Sequence, residues 1–153
     1  RYSFRAAMGV PTDLREVEIP LDDERIRAVV LGMGNPQCIV LGPLPDDARF
    51  RRIGQALATH AMFPAGTNVE FAEVEASGRV RILIWERGVG PTSSSGTGTC
   101  ASAVAAAQFG GAARTVEVAA PGGTQLVEWL DDGVYLTGWA DVVMEGQWIA
   151  DPA

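Results

Sequence analysis

Residues 97–109 contain no charged side chain and are mostly small, and this run constrains the fold more than any other part of the sequence. The run reads Thr-Gly-Thr-Cys-Ala-Ser-Ala-Val-Ala-Ala-Ala-Gln-Phe, and the glycine pair at 110–111 is typical of a helix stop. A helix with no charge on any face is expected to be buried on all sides. Because alanine side chains are short, strands can approach such a helix closely, which favours a place at the centre of a closed or strongly curved sheet.

Short β-branched and aromatic stretches, separated by turn residues, make up most of the remaining sequence. They predict eight or nine strands, within residues 2–7, 16–19, 26–31, 38–41, 69–75, 79–85, 115–119, 125–130 and 134–137. A second helix is predicted for residues 46–60, because Phe50, Ile53 and Leu57 recur at helical spacing behind a capping aspartate. Together these segments indicate an α+β protein.

Composition excludes several classes of function. The chain has 153 residues, 47% of them hydrophobic, which suits one domain with its own core. Its net charge of -7 and the lack of a basic cluster argue against nucleic-acid binding, and its apolar runs are too short to cross a membrane. Two cysteines do not make a disulfide framework, so we expect a cytoplasmic protein. Because the sequence begins at Arg1 in a strand-like segment, we expect it to be a piece of a longer polypeptide.

Residues 86–98 carry the strongest indication of a binding site. They read Glu-Arg-Gly-Val-Gly-Pro-Thr-Ser-Ser-Ser-Gly-Thr-Gly and lead directly into the uncharged helix. Backbone N–H groups at a helix N-terminus are unpaired and carry partial positive charge, so Gly96 and Thr97 are expected to hold a carboxylate or another small anion. Ser95 lies on the rim of this loop, where a proton-transfer group would stand. The alternative for Ser95 is a loop serine that hydrogen-bonds the backbone.

Other candidate residues have ordinary structural explanations as well. Asn35, Gln37 and Asn68 lie beside proline or glycine and suit turns. Glu86 and Arg87 are adjacent at the end of a predicted strand, and their alternative is a surface ion pair.

The cysteines and the histidine are not expected to take part in chemistry. Cys38 and Cys100 lie in apolar segments and are expected to be core residues. His60 is the single histidine and sits near a helix end. Without a second histidine or a cysteine pair at ligand spacing, no metal site is expected.

Five short motifs, in order along nearly the whole chain, resemble the C-terminal half of the diaminopimelate epimerase family. They are Gly-Asn-Pro-Gln at 34–37, Phe-Pro-Ala-Gly-Thr-Asn-Val at 63–69, Trp-Glu-Arg-Gly-Val-Gly at 85–90, Thr-Ser-Ser-Ser-Gly-Thr-Gly at 92–98 and Pro-Gly-Gly at 121–123. The resemblance implies a curved, barrel-like, mostly antiparallel sheet wrapped around a central buried helix, with one additional surface helix. It also implies that residues 1–153 form a single domain, the C-terminal one of two, and that the N-terminal domain lies outside this chain.

The family inverts an α-carbon of an amino acid without a cofactor, so none is expected here. The resemblance implies conversion of LL- to meso-diaminopimelate, a step of lysine biosynthesis, between two thiols on opposite sides of the α-carbon. Ser95 stands where this domain's thiol belongs, Gln37 replaces the histidine that partners the other thiol, and Glu86 would orient the group at position 95. Carried over residue by residue, the resemblance predicts substrate binding by Asn35, Asn68, Glu86, Arg87, Gly96 and Thr97.

The departures at Ser95 and Gln37 leave the activity open. An alcohol does not ionise as a thiol does, so we expect the chain alone, without the second domain, to be inactive. One alternative is a one-base dehydratase or isomerase of the same superfamily, and another is a catalytically dead binding or structural module. The expected partners are an amino-acid substrate, the N-terminal domain and, through an exposed apolar face, a second copy of the chain in a homodimer.

Overall fold

The computed structural model describes residues 1–149 and contains ten strands and two helices. The strands are β1 (Tyr2–Gly9), β2 (Thr12–Pro20), β3 (Arg25–Gly32), β4 (Pro36–Leu41), β5 (Asn68–Ala76), β6 (Arg79–Glu86), β7 (Gly90–Thr92), β8 (Thr115–Ala120), β9 (Gly123–Leu130) and β10 (Gly133–Ala140). The helices are α1 (Asp47–Ala58) and α2 (Gly96–Phe109). Neither helix within residues 1–149 is long and apolar enough to span a bilayer.

All ten strands belong to one curved sheet that does not close. Nine follow the order β1-β10-β9-β8-β6-β5-β4-β3-β2, and β7 pairs with β6 beside that path. Neighbours are antiparallel except for β4 with β5 and β6 with β8. A parallel pair needs a long crossover connection, and the two helices lie in those connections, α1 between β4 and β5 and α2 between β6 and β8. The expected α+β class with a mostly antiparallel sheet is confirmed.

The inner face of the sheet wraps around α2. Residues 98–106 of this helix are buried, and its alanines pack in one cluster with inward side chains such as Ile39, Ile82, Val118 and Val127 from four different strands. The expectation of a buried central helix is therefore confirmed, although its first turn and its last residues reach the surface. Small side chains on every face of α2 are what let strands surround it at close range.

Helix α1 covers part of the outer face of the same sheet and is the expected surface helix. Its apolar side packs over β5 and β6, where the Phe50 ring meets the Phe71 and Trp85 rings edge-on at centroid distances of 5.6 and 5.9 Å. The opposite side of α1 is exposed. Strands β4, β5 and β6 are thus covered on both faces, by α2 inside and by α1 outside.

Most predicted strands differ from the observed ones by a few residues at their ends, and three larger differences concern β2, β4 and β7. β2 begins at Thr12 instead of residue 16. A bulge between Thr12 and Arg15, with Asp13 at a φ of 52°, interrupts the pairing with β3 in an exposed, polar stretch, and the pairing resumes at Thr12. β4 begins at Pro36, so Gln37 lies inside a strand and not in a turn. The segment predicted as a loop between 86 and 98 contains the short strand β7, whose Pro91 is tolerated because β7 pairs on one side alone.

Candidate active site

Polar side chains replace apolar ones at one end of the inner face, beside the start of α2. Inward side chains recur at every second residue of a strand. On β4 the inward series therefore runs from the buried Ile39 to Gln37, and on β5 it runs from Ala72 to Glu70 and Asn68. Because β4 and β5 are paired with Gln37 opposite Asn68, these two side chains are neighbours.

The first turn of α2 is capped by Ser95. Its Oγ accepts a hydrogen bond from the Gly98 N–H at 3.1 Å, and its carbonyl oxygen accepts one from the Thr99 N–H at 3.0 Å. The backbone-bonding alternative for Ser95 is therefore present in the structure, and the side chain still lies half-buried at the rim of the site. An N-cap hydroxyl of this kind stabilises a helix by roughly 1 kcal/mol.

Two backbone N–H groups of this turn stay available for a ligand. Gly96 and Thr97 occupy the first helical positions, which have no intrahelical partner, and within residues 1–149 neither N–H donates to another group. Gly98 also begins the helix, but its N–H is taken by the Ser95 side chain. The anion-binding capacity predicted for this helix start thus rests on Gly96 and Thr97.

Gln37 lies at the centre of a buried network of side-chain amides. One orientation of its carboxamide satisfies its neighbours: the oxygen accepts from Asn68 Nδ2 at 3.2 Å and from Thr97 Oγ1 at 3.1 Å, while Nε2 donates to both oxygens of Glu70 at 3.1 and 3.2 Å. The Asn35 carboxamide lies 2.7 Å from the same oxygen of Gln37 and donates to it when its amide group faces that way. The network ties β4, β5 and the first turn of α2 together.

Asn68 connects this network to the end of β6. Its side chain is 6% exposed, and its Oδ1 accepts a hydrogen bond from the Arg87 backbone N–H at 2.8 Å. The Arg87 guanidinium turns the other way, where Nη1 donates to the Ala65 carbonyl oxygen at 3.0 Å and the side chain packs over Gly66. The structure therefore brings the Arg87 backbone into the site and leaves its side chain over the loop that precedes β5.

Glu86 ends β6 on the same inward series as the buried Ile84. Its side chain is half-buried, and within residues 1–149 its carboxylate makes no hydrogen bond. Glu70 pairs with Ile84, two residues before Glu86 on the same inward series, so the two carboxyl groups share this end of the inner face. The charge of Glu86 raises the pKa of Glu70. A role for Glu86 in orienting the group at position 95 remains a prediction.

Glu70 belongs to the site and was not anticipated. The alternation of Val69, Glu70 and Phe71 is typical of a strand with one solvated face, which would place Glu70 in water. Glu70 is instead 0% exposed, because β5 is covered on both faces. Burial raises the pKa of its carboxyl well above the usual value of 4.5, and the Glu86 carboxylate raises it further. The available signal was register: Asn68 and Glu70 share one face of β5.

An open pocket of about 650 Å³ lies against the network, and Met8, Asn35, Gln37 and Phe63 are among its lining residues. The Arg87 side chain lines a different pocket, together with Trp85 and Val89. Within the part of the chain that the structure describes, no three acidic, histidine or cysteine side chains come together as metal ligands. The first pocket is the place where a small polar molecule would meet Asn35.

The two cysteines are core residues, as expected. Cys38 faces α1 in the outer core, and Cys100 lies in α2 within the inner core. Burial raises the pKa of the Cys38 thiol far above its usual value, and it raises the pKa of Cys100 to about 12. Neither thiol is suited to proton transfer near neutral pH.

Gly98→Ala is expected to lower the free energy of unfolding by about 2 kcal/mol, because a Cβ at this place would overlap Glu70 Oε1 and lie 3.1 Å from Ser95 Oγ. The better helix propensity of alanine offsets at most about 1 kcal/mol of the overlap. Urea unfolding measures the difference. Gly78→Ala is the matched control, since nothing lies within 4 Å of a Cβ there. Equal stability of the two variants would contradict the close packing of Glu70 against α2.

Residues 29–143 match the model of the family described as diaminopimelate epimerase. The chain belongs to the diaminopimelate epimerase family. It is 44% identical to a diaminopimelate epimerase of Desulforudis audaxviator over 97% of this chain and 59% of that protein. It is 41% identical to the enzyme of that name from Desulfitobacterium hafniense over 87% of this chain and 47% of that protein. The chain thus spans about half the length of the curated relatives it matches.

Solved structures show the same fold at lower sequence identity. A probable proline racemase from Agrobacterium radiobacter K84 superposes with a TM-score of 0.67 at 18% identity, covering 94% of this chain and 54% of that one. A hydroxyproline epimerase from Agrobacterium vitis gives a TM-score of 0.67 at 18% identity, covering 89% of this chain and 50% of that one. The family predicted from the five motifs is confirmed, and its fold is that of a wider group of racemases and epimerases.

Proposed function

We propose that this chain supplies one half of the active site of an enzyme that converts LL- to meso-diaminopimelate without a cofactor. The supporting observation is the network that joins Asn35, Gln37, Asn68 and Thr97 around the start of α2. Asn35 and Gln37 line one open pocket, and Gln37 also contacts Thr97. The network thereby joins these amide groups to the helix start, where among the described residues the backbone N–H groups of Gly96 and Thr97 have no partner. These are the groups that an amino acid needs for recognition of its carboxylate and ammonium ends.

The chemistry of the site follows from what each group can do. The N–H groups of Gly96 and Thr97 would bind the α-carboxylate and stabilise the negative charge that develops when the α-proton leaves. Asn35 and Asn68 would accept hydrogen bonds from the substrate ammonium or donate to its carboxylate. Glu86 and Arg87 would meet the remote end of the substrate. For this contact the Arg87 guanidinium must first break its hydrogen bond to the Ala65 carbonyl oxygen and turn toward the site.

Among its described residues, this half of the site lacks an efficient group for proton transfer. The Ser95 hydroxyl stays protonated near neutral pH, and the Gln37 carboxamide is not a base. An inversion needs one group to remove the α-proton and another to return a proton on the far face. The chain alone is therefore proposed to bind but not to epimerise, and the second proton-transfer group is assigned to an N-terminal domain.

Two observations support a partner half. The relatives named diaminopimelate epimerase are about twice as long as the segment that this chain matches. Large apolar side chains are exposed on β1 and β10 and in the stretch after β10, among them Tyr2, Phe4, Trp139 and Val143. Contact with an N-terminal domain would cover such side chains, and so would a homodimer.

A second candidate function is a binding domain without catalysis. It is favoured by the hydrogen bond from the Gly98 N–H to Ser95 Oγ, because that bond gives the serine a complete structural role as a helix cap. This candidate shares the binding groups of the first and differs in lacking any proton transfer.

Diaminopimelate added to the ¹⁵N-labelled chain is expected to shift the amide NMR signals of Gly96 and Thr97, while its α-proton does not exchange with deuterated solvent. The Gly78 amide, in the hairpin between β5 and β6, is the internal control and is expected to stay in place. Exchange at the turnover of an ordinary enzyme, about 10 per second, would show that this chain alone is active. Absence of any shift at Gly96 and Thr97 at millimolar ligand would overturn the binding role.

A further inference from the structure

Glu70 is an ionisable group that the proposed chemistry does not use. It is 0% exposed and lies behind Gln37, on the side away from the open pocket. A buried carboxylate normally has a cationic partner, because burying an unpaired charge is costly. The group that bears on Glu70 in the structure is instead another carboxylate, that of Glu86. Because a buried carboxyl without a cationic partner is costly, we looked to its hydrogen bonds for a function.

The hydrogen bonds of Glu70 define that role. Both of its oxygens lie within hydrogen-bond distance of Gln37 Nε2, at 3.1 and 3.2 Å, so Nε2 donates to an oxygen that carries no proton in either charge state of Glu70. Because Nε2 of Gln37 is directed at Glu70, the oxygen of the same carboxamide is directed at Asn68 Nδ2 and Thr97 Oγ1. A glutamine carboxamide has two orientations of nearly equal shape, and its neighbours decide between them. In the reverse orientation Nε2 would donate to Asn35 Oδ1 and Thr97 Oγ1, but it would face Asn68 Nδ2. The Glu70 carboxyl, as an acceptor for Nε2, favours the orientation described, and so does the Asn68 amide, whose Oδ1 is held by the Arg87 N–H.

We propose that Glu70 is a positioning residue, whose carboxyl group holds the Gln37 carboxamide with its oxygen toward Asn68 and Thr97 and so sets the donors that the site shows to a ligand. Reversal of Gln37 would place its N–H₂ against Asn68 Nδ2, donor against donor, and would release Asn68 from the network. Gly98 fits this arrangement, since a side chain there would occupy the space of Glu70 Oε1. The part that the network plays toward a substrate rests on the proposed function, whereas the network itself is a property of the folded chain.

The network also contains one group that can gain or lose a proton, the Glu70 carboxyl, whereas the Gln37 carboxamide does not titrate. The Cys38 thiol is near Glu70 but lies on the outer face of β4. The groups that face Glu70 are Glu86 from β6 and the uncharged Ser95 and Thr97 from the start of α2. No cation among the described residues counters them. Desolvation, followed by the charge of Glu86, raises the pKa of Glu70 above the usual 4.5. The carboxyl behind Gln37 therefore changes its charge at a higher pH than an ordinary glutamate.

NMR titration of the chain tests this proposal without any substrate. The side-chain N–H₂ signals of Gln37, assigned from its backbone, are expected to shift with pH at one midpoint above the ordinary range of a carboxyl group. Glu70→Gln is expected to abolish this shift. Glu86→Gln is the matched control: it removes the like charge, lowers the midpoint and leaves the shift in place, because desolvation is the larger cause.

Three results would overturn the proposal. These are Gln37 signals that do not titrate in the native chain, a titration that persists unchanged in Glu70→Gln, or one that disappears in Glu86→Gln. The first of them needs no variant, so it holds even if Glu70→Gln folds poorly. None depends on diaminopimelate, so failure of the proposed function leaves this test intact.

A second measurement uses stability. The folded state keeps the Glu70 proton to a higher pH than the unfolded chain, whose glutamates titrate near 4.5. The free energy of unfolding of the native chain, relative to Glu70→Gln, is therefore expected to fall as the pH rises above that value, until Glu70 ionises in the folded state. A difference between native chain and variant that does not change with pH would contradict the buried proton.

Discussion

Ser95→Cys is expected to raise α-proton exchange by orders of magnitude in a fusion protein. This fusion consists of the N-terminal half of a diaminopimelate epimerase followed by this chain. A thiol has an ordinary pKa near 8.5 and forms a thiolate at accessible pH, whereas an alcohol does not. Position 95 caps α2, so the partial positive charge of the helix start favours the thiolate. Solvent-deuterium exchange at the α-carbon of diaminopimelate, followed by NMR, measures the change.

Controls separate this result from a general effect on the fold. Ser95→Ala in the same fusion removes the hydroxyl and is expected to leave exchange at the background level. Glu86→Gln added to Ser95→Cys is expected to reduce the gain, since Glu86 is proposed to orient the new thiol. Gln37→His is expected to add to the gain, because imidazole can act on a thiol of the other half. If Ser95→Cys has no effect while Cys100→Ala abolishes exchange, Cys100 is the proton-transfer group and the assignment of the loop is wrong.

Ala105→Leu is expected to lower the free energy of unfolding by about 3 kcal/mol, at the upper end of the usual cost of overfilling a core. Ala105 is 0% exposed, and α2 is surrounded by strands, so the added carbons have no free side to turn to. Domains of this size are stable by only about 5–15 kcal/mol, so the loss is a large share of the total. Urea unfolding followed by circular dichroism measures it.

Ala48→Leu is the matched control for the core substitution. It makes the same change on the exposed side of α1 and is expected to alter stability by no more than about 0.5 kcal/mol. Equal stability of the two variants would mean that α2 is not enclosed as described. A loss confined to Ala105→Leu would show that the small residues of α2 are required by the surrounding sheet and not by the helix itself.

Patterns of residues close together in sequence were sufficient to predict several parts of the structure. The uncharged run at 97–109 predicted a buried central helix, because the absence of charge is a property of the segment itself. The apolar spacing of Phe50, Ile53 and Leu57 likewise predicted the buried side of α1. The candidate residues at the start of α2 followed from a glycine-rich loop before a helix. All of these depend on residues that are close in sequence.

Other features depended on pairing between distant segments. Gln37 resembled a turn residue until its pairing with Asn68 placed it inside β4. The strand β7 has no alternating pattern and forms because β6 offers it a free edge. Ser95 was predicted at the rim of the site, but its use as the cap for the Gly98 N–H requires the exact start of α2.

Glu70 marks the boundary between what the sequence by itself determined and what only the tertiary structure decided. Sequence determined the class of fold, the family and the segments that carry the site, because these depend on composition and on motifs read along the chain. The tertiary structure decided that a residue with the pattern of a solvated position lies buried between two helices, behind Gln37. The physical reason is that burial on the second face of a strand comes from elements far away in sequence, and no local pattern records them.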